Sequence, residues 1–289
     1  MIFFNFKSEQ CNKKDSFNDV IFIFFNYFYD ISLLAMNDVK ICLITDNTTK
    51  ALLAKKQILK LNKNSSIEKC DTIVVIGGDG FMLQTLKKYQ KYNKSFYGMN
   101  LGNHGFLLNP FSKKDLIKKI KRSNEIILNP LEITVQSNGK TKKNVAINEV
   151  SIFRQSKQTA KLQISVDGKI RVKELVGDGA LVATPAGSTA YNFSVGGRIL
   201  NLESPRLAIT PISPFRPRGW RGGIVSNKSK IIIKNLDKKK RPVSAVSDNT
   251  EIRNAHIIKI GINTKIQFKL LYNKKSGLVE RNIAEQFKF

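Results

Sequence analysis

DTIVVIGGDGFMLQTL, residues 71–86, is the stretch whose reading decides the fold. An acid and a hydroxyl lead into the uninterrupted apolar run Ile73, Val74, Val75, Ile76, and two glycines, an aspartate and a third glycine follow. A short β-branched run closed by glycines is the pattern of a strand buried on both faces of a parallel sheet. Beyond it Phe81, Met82 and Leu86 fall at helical spacing, so the pattern predicts a helix from Phe81 and a turn over residues 77–80. Such a turn lies at the carboxyl end of a strand, where open α/β sheets take their ligands. Gly77, Gly78 and Gly80 would let the backbone approach a phosphate, with N–H groups of the helix start turned towards it. Asp79 would repel that phosphate, so it fits better as a group that meets a hydroxyl or a metal. The plainer alternative is a tight turn with a solvated acid.

Working outward, the pattern alternates. Strands are predicted over 39–45, 72–76 and 95–100, and helices over 48–61, 81–89 and 115–121, with the connection lengths of a parallel sheet. Residues 100–106, NLGNHGF, form a second glycine-bearing turn after a strand, placed to flank the same crevice. After about Asn129 the texture changes to short strands, over 131–135, 145–153, 161–166, 170–176, 180–183, 231–234 and 257–260, with a hairpin signal at Val166-Asp167-Gly168-Lys169. Leu270, Leu271, Leu278 and Ile283 make the last twenty residues apolar enough to pack back on something.

Composition narrows the classes. The chain has 289 residues, 42% hydrophobic and 25% charged, as globular proteins do. Its net charge of +27 suits polyanionic ligands such as nucleotides, or nucleic acid. The lysines are spread along the chain and no nucleic-acid-binding motif accompanies them, which favours an anionic small substrate. Cys11, Cys42 and Cys70 include no C-x-x-C, and a sparse, odd count points to a reducing cytoplasm. With only His104 and His256, neither a zinc site nor a histidine-based triad is expected. Residues 1–35 differ from the rest: an aromatic, apolar stretch broken by Asn26 and Asp30 is too short to span a membrane, and a true start at Met36 explains it better than a targeting role.

Further stretches bear on chemistry. Asn148 and Glu149 sit together in a strand-like run, where period-two alternation would send them to opposite faces. Residues 177–197, GDGALVATPAGSTAYNFSVGG, are dense in glycine and small residues. Thr184, Ser188, Thr189 and Ser194 offer hydroxyls there, and Tyr191 a flat face for a base. Residues 214–223, PFRPRGWRGG, could clamp phosphates with Arg216, Arg218 and Arg221, although a loop pinned by stacking is the better expectation. Asp248-Asn249-Thr250 reads as a turn between strands.

Taken together these motifs resemble the NAD kinase family, from about Met36 to the C-terminus. Residues 77–80 look like its GGDG, Asn148-Glu149 like its NE pair, and residues 177–197 like its long DG…TP-x-GSTAY…GG signature, which is the most specific of the three. GGDG alone is shared with diacylglycerol kinase and phosphofructokinase relatives. The resemblance implies a Rossmann-like nucleotide-binding α/β domain at 36–128, a β-rich, β-sandwich-like domain at 129–268, and a segment at 269–289 returning to the first. It implies transfer of the ATP γ-phosphoryl group to the 2′-hydroxyl of the adenosine ribose of NAD, with Mg²⁺ or a similar divalent metal arriving on ATP rather than in a protein cage. Asp79 would be the base and Gly80 its backbone companion, with Gly77 and Gly78 near phosphate. Asn148 and Glu149 would hold the adenosine part, and Asp178 would sit near the nicotinamide end. Thr189, Ala190, Tyr191, Asn192, Phe193 and Ser194 would bind NAD around the adenine pocket, with Thr159, Val176 and Thr250 at neighbouring positions.

Two departures stand out: His104 replaces a leucine of the family's G-x-L-G-F-L, and Arg198 follows Gly196-Gly197 where many relatives have proline. A homo-oligomer, dimer or tetramer, is implied, with no membrane or nucleic-acid partner. A lipid or sugar kinase of the same superfamily would leave Asn148-Glu149 and residues 177–197 unexplained, and a non-catalytic NAD sensor would have no use for Asp79.

Overall fold

Ile41–Thr45 (β1), Thr72–Gly77 (β2) and Ser95–Asn100 (β3) run parallel, with Thr49–Leu59 (α1) and Asp79–Tyr89 (α2) as the crossover helices. The computed structural model describes residues 39–102, 105–274, 283–284 and 287, so the N-terminal extension, His104 and Leu278 lie outside the described residues. All six residues of β2 are buried, as its apolar run predicts for an interior strand. Helix α1 starts where Thr48, itself extended, accepts the Ala51 N–H on its side chain at 3.2 Å. Helix α2 begins two residues earlier than the apolar spacing predicts. Gly78 is its N-cap, Asp79 is its first residue, and the Met82 N–H donates to the Gly78 carbonyl at 3.0 Å. The unpaired N–H groups and dipole of a helix start favour an acid there, so the expected four-residue turn shrinks to Gly78.

Asn109–Pro110 (β4) adds beside β3, and Leu116–Lys121 (α3) leads into Asn124–Leu128 (β5). The chain then lays down Leu131–Ser137 (β6), Lys140–Ala146 (β7), Glu149–Arg154 (β8), Ala160–Val166 (β9), Lys169–Gly177 (β10) and Gly179–Ala183 (β11). A 3-10 turn at Ala186–Thr189 and the short helix Tyr191–Ser194 (α4) precede Arg206–Ile212 (β12), Gly223–Ser226 (β13), Ile231–Asn235 (β14), Val243–Ser247 (β15) and Thr250–Ile262 (β16). These eleven strands form one curled antiparallel sheet in the order β10-β9-β14-β16-β15-β8-β11-β12-β13, with β6 pairing β16 and β7. Strict alternation along β9 buries Ala160, Leu162, Ile164 and Val166, which join Leu131, Ile133, Ile152, Ile231, Ile233 and Ile258 in one apolar core.

Phe268–Tyr272 (β17) leaves the curled sheet and enters the first one, parallel to β3 and antiparallel to β5. Asn109 locks it in: its amide donates to the Gly98 and Leu271 carbonyls at 3.1 and 2.9 Å and accepts the Asn273 N–H at 2.9 Å. Helix α2 is the wall that the two sheets share. Its Met82, Leu83 and Leu86 lie in one buried cluster with Ile147, Ala186 and Leu202 from the β-rich region. That packing sets the Asn148-Glu149 loop and the segment after β11 against the helix that Asp79 begins.

Candidate active site

Asp79 stands at the carboxyl end of β2, half-buried, and its carboxylate is held from across the crevice. One oxygen accepts the Phe106 N–H at 2.6 Å and the other the Leu107 N–H at 2.9 Å, so the loop after β3 fixes the plane of the acid. Charge-assisted bonds of this kind are strong and directional. The second glycine-bearing turn therefore shares the crevice with the first.

Ile147 and Asn148 form the break between β7 and β8, and Glu149 is the first residue of β8. Sequence alone merges these strands into one run over 145–153; the structure splits them because the backbone bonds at 147–149 go elsewhere. Asp248, in the tight turn between β15 and β16 with φ of 51°, accepts the N–H groups of Ile147 at 2.8 Å, Asn148 at 2.9 Å and Glu149 at 3.3 Å. On the carbonyl side, the Asn148 oxygen accepts the Thr184 N–H at 2.9 Å, and the Thr184 hydroxyl lies 2.7 Å from the Ile147 carbonyl. Gly187 closes against the same place. A Cβ there would stand 2.2 Å from the Asn148 carbonyl oxygen, so only glycine fits.

The clamp leaves two polar atoms with no partner among the described residues: Asn148 Oδ1 and Glu149 Oε2, both buried. Such atoms are rare in folded proteins, and a neighbouring pair at a strand start offers bonding capacity to a polar ligand or to ordered water. Burial, with the Asp248 carboxylate adding to it, pushes Glu149 from an ordinary 4.5 up to about 8, while Lys87 opposes the shift. At neutral pH this side chain holds its proton, so it can donate one hydrogen bond and accept others.

Tyr191 stands beside this pair. Burial raises its hydroxyl above the ordinary range, and the negative charges of Asp178 and Glu149 raise it further. Its ring meets Phe153 at 5.7 Å between centroids. Asp178 pairs with the guanidinium of Arg154. The β9–β10 register matches Ala160 with Gly177, which sets Thr159 and Asp178 one step further along the ladder. Thr159 itself is bound through its carbonyl by Arg241 at 2.6 Å. The backbone of Val176 donates to the Arg216 carbonyl at 2.8 Å and accepts from Phe215 and Arg216.

Several predicted groups serve the fold instead. Asn192 is fully buried: its amide donates to the Ser188 and Arg198 carbonyls at 3.0 Å each, and its oxygen accepts the Thr210 hydroxyl at 2.7 Å. Ser188 ties Pro185 to Leu200, and Thr184 belongs to the clamp, so neither hydroxyl is presented to a ligand. Gly80, Phe193, Ser194 and Thr250 are exposed, and Thr189 and Ala190 are half-buried. The arginine loop is pinned as its composition suggests. Arg216 and Arg218 lie 5.3 and 5.9 Å from the Phe215 ring, and Trp220 packs on the β-rich core.

Asp248 and Lys87 carry more of the site than the sequence reveals. The Asp248 side chain is all but inaccessible, and Lys87, in the last turn of α2, reaches it at 2.8 Å. An acid in a two-residue turn between strands, and a lysine eight residues from Asp79 on the same helix face, are the only signals that could have found them.

No group of three or more His, Cys, Asp or Glu among the described residues could hold a metal ion, so the donor set does not form a magnesium cage. Among the same residues no helix is long and apolar enough to cross a membrane.

An acid at the end of a parallel strand, on a helix that packs against a loop with unsatisfied buried polar atoms, defines an α/β nucleotide-binding protein with a second, β-rich wall. The family models sharpen this. The ATP-NAD kinase N-terminal domain matches residues 25–125 and the ATP-NAD kinase C-terminal domain residues 147–265. The NAD kinases of Rickettsia akari and Rickettsia bellii are 47% and 45% identical over 253 residues, 87% of this chain and 99% of theirs. The chain belongs to the ATP-NAD kinase family. Its fold also matches yeast NADH kinase solved with NADH (TM-score 0.74, 21% identity, 88% of this chain and 90% of that one). An NAD kinase from Archaeoglobus fulgidus solved with ATP gives a TM-score of 0.69 at 22% identity, over 85% and 98%. The C-terminal match includes Asn148-Glu149 and residues 177–197, which disfavours a lipid or sugar kinase.

Proposed function

We infer that this protein is an NAD kinase that transfers the γ-phosphoryl group of ATP to the 2′-hydroxyl of the adenosine ribose of NAD, with Asp79 as the base. Near-full-length identity to NAD kinases supports the reaction. The observation that carries the site is the pair of buried, unpartnered atoms Asn148 Oδ1 and Glu149 Oε2, poised on a clamped loop beside the helix of Asp79. Adenosine hydroxyls and ring nitrogens supply the donors and acceptors those atoms lack. Tyr191, with Thr189, Ala190 and Ser194, offers the adenine a face and an edge. Asp178, Thr159 and Val176 extend the same surface towards the nicotinamide end.

Phosphoryl transfer through a loose transition state asks a protein mainly for alignment and charge neutralisation. The proton of the attacking hydroxyl leaves late, so a carboxylate of fixed orientation suffices as base. The Phe106 and Leu107 N–H groups supply that orientation. The protein lacks a magnesium cage among its described residues, and a divalent ion carried by the ATP phosphates fits that donor set. The two sheets act as the α/β and β-rich domains of the enzyme, which would work as a cytoplasmic homo-oligomer.

The test is NADP formation from NAD, ATP and Mg²⁺ by the protein and by Asp79→Asn. The parent is expected to make NADP and the variant to lose about 10²–10⁴-fold in kcat. A parent that binds NAD and makes no NADP would refute the assignment, and equal activity in both proteins would remove Asp79 as the base.

A further inference from the structure

Lys87 and Lys88 follow one another in the last turn of α2, where cations complement the helix dipole. Their environments differ. Lys88 is exposed, with its ammonium 5.3 Å from the Tyr89 ring. Lys87 is folded inward, its side chain only 16% exposed, with Nζ 2.8 Å from Asp248 Oδ2 and 3.1 Å from the Ser247 carbonyl. The dipole explains both lysines equally and so cannot explain the burial of one. A strongly hydrated ammonium enters such a place only for a specific partner.

That partner has a second duty. Asp248 Oδ2 takes both the Lys87 ammonium and the Ile147 N–H, while Oδ1 accepts the N–H groups of Asn148 and Glu149. Helix α2 thus has Asp79 at its first residue and, eight residues on, a bond to the group that shapes the Asn148-Glu149 loop. The rise of an α-helix puts these two points about 12 Å apart along one rigid rod. We propose that Lys87 is a positioning residue for phosphoryl transfer: through Asp248 it holds the loop of Asn148 and Glu149 at a fixed distance from Asp79. The inference rests on the kinase assignment above. It adds that the base and the nucleotide-holding pair are set by a single cross-brace between the sheets.

The charges around Glu149 give the brace a signature beyond stability. From α2 it feels the Lys87 ammonium, from the β15–β16 turn the Asp248 carboxylate, and from α4 the Tyr191 hydroxyl. Lys87 is the one cation among them. Removing it leaves two neighbouring carboxyl groups with no cation between them, which drives Glu149 further up from about 8.

The experiment compares the parent, Lys87→Met, Lys87→Arg and Lys88→Met in steady-state NADP formation across pH, with thermal melting alongside. Lys87→Met is expected to lose about 10- to 100-fold in kcat/KM for NAD, the loss that misplacement on the ångström scale produces. The limb of its kcat/KM profile that Glu149 governs is expected to move to higher pH than in the parent. Lys87→Arg should restore most of the rate and the position of that limb, and Lys88→Met should match the parent. If Lys87→Met does not fold, Lys87→Gln replaces it, since Gln keeps a donor for the Ser247 carbonyl and removes the charge; the same outcomes apply. A folded, charge-free variant with the parent's kcat, KM and pH profile would overturn the positioning role, as would a lower melting temperature with an unmoved profile. A parent that makes no NADP would instead overturn the kinase assignment.

Discussion

Replacing Gly187 by alanine drives a methyl group into the backbone of Asn148. The added Cβ would lie 2.2 Å from the carbonyl oxygen, 2.4 Å from the carbonyl carbon and 2.6 Å from the Cα. Side-chain carbons do not approach other atoms closer than about 3.0 Å, so roughly 0.8 Å must open, and no flexible tip is present to yield it. Asn148 is held on both sides, by Asp248 through its N–H and by Thr184 through its carbonyl. Retreat of the loop weakens two or three of those bonds at about 1 kcal/mol each, giving a loss of about 2–3 kcal/mol. For a chain of this length that is a fall of roughly 3–5 °C in melting temperature. The same displacement takes Asn148 Oδ1 and Glu149 Oε2 out of register with the nucleotide, at a cost of about 10- to 100-fold in kcat/KM for NAD. Differential scanning calorimetry and a coupled NADP assay on Gly187→Ala test both figures. Parent-like melting with parent-like kcat/KM would refute the claim that this glycine shapes the site.

Glu149→Gln should flatten part of the pH dependence of stability. A carboxyl raised from 4.5 to about 8 keeps its proton in the folded chain while the unfolded chain releases it. Stability from this group is therefore whole below about pH 4.5 and is lost progressively as pH rises to about 8, on the order of a few kcal/mol in all. Urea unfolding from about pH 5 to about pH 8 should show that slope in the parent and not in the variant; equal slopes would contradict the burial argument. The thiols of Cys42 and Cys70 should be inert. Burial raises Cys42 and takes Cys70 up to about 11, and the Cys70 thiol donates to the Ile67 carbonyl at 3.3 Å. Iodoacetamide at neutral pH should label neither until the chain unfolds, and peptide mapping that finds rapid Cys70 modification in the folded protein would count against this packing.

Much of the frame was legible from period alone. The apolar run of β2 and the helical spacing after it placed Asp79 at a strand end, because buried parallel strands and amphipathic helices write their periods openly. The strands of mixed composition were harder. Asn124–Leu128, Arg206–Ile212 and Val243–Ser247 mix polar with apolar residues or include a proline, and only their pairing partners make them strands. In the site, the motif residues were visible as composition, whereas the distinction between ligand-facing and fold-serving side chains was not. Asn192 and Ser194 look alike in a glycine-rich run, yet one is sealed inside by Thr210 and the other is exposed. Asp248 and Lys87 were hidden for another reason. Their meeting joins positions 161 residues apart, a distance that no local pattern spans.

The return of β17 into the first sheet has a bearing on how the protein is made. The strand between β3 and β5 lies 140 residues after β5 ends, beyond every strand of the curled sheet. A ribosome releasing the chain in order delivers the crevice, with its glycines and Asp79, long before the strand that fills the gap at its flank. At roughly 5–20 residues per second, the half-built sheet waits for roughly 7–28 seconds with an open slot and unpaired backbone. Nascent enzyme thus presents an exposed edge during synthesis, and both walls of its nucleotide crevice reach their final form together, only when Phe268–Tyr272 has emerged.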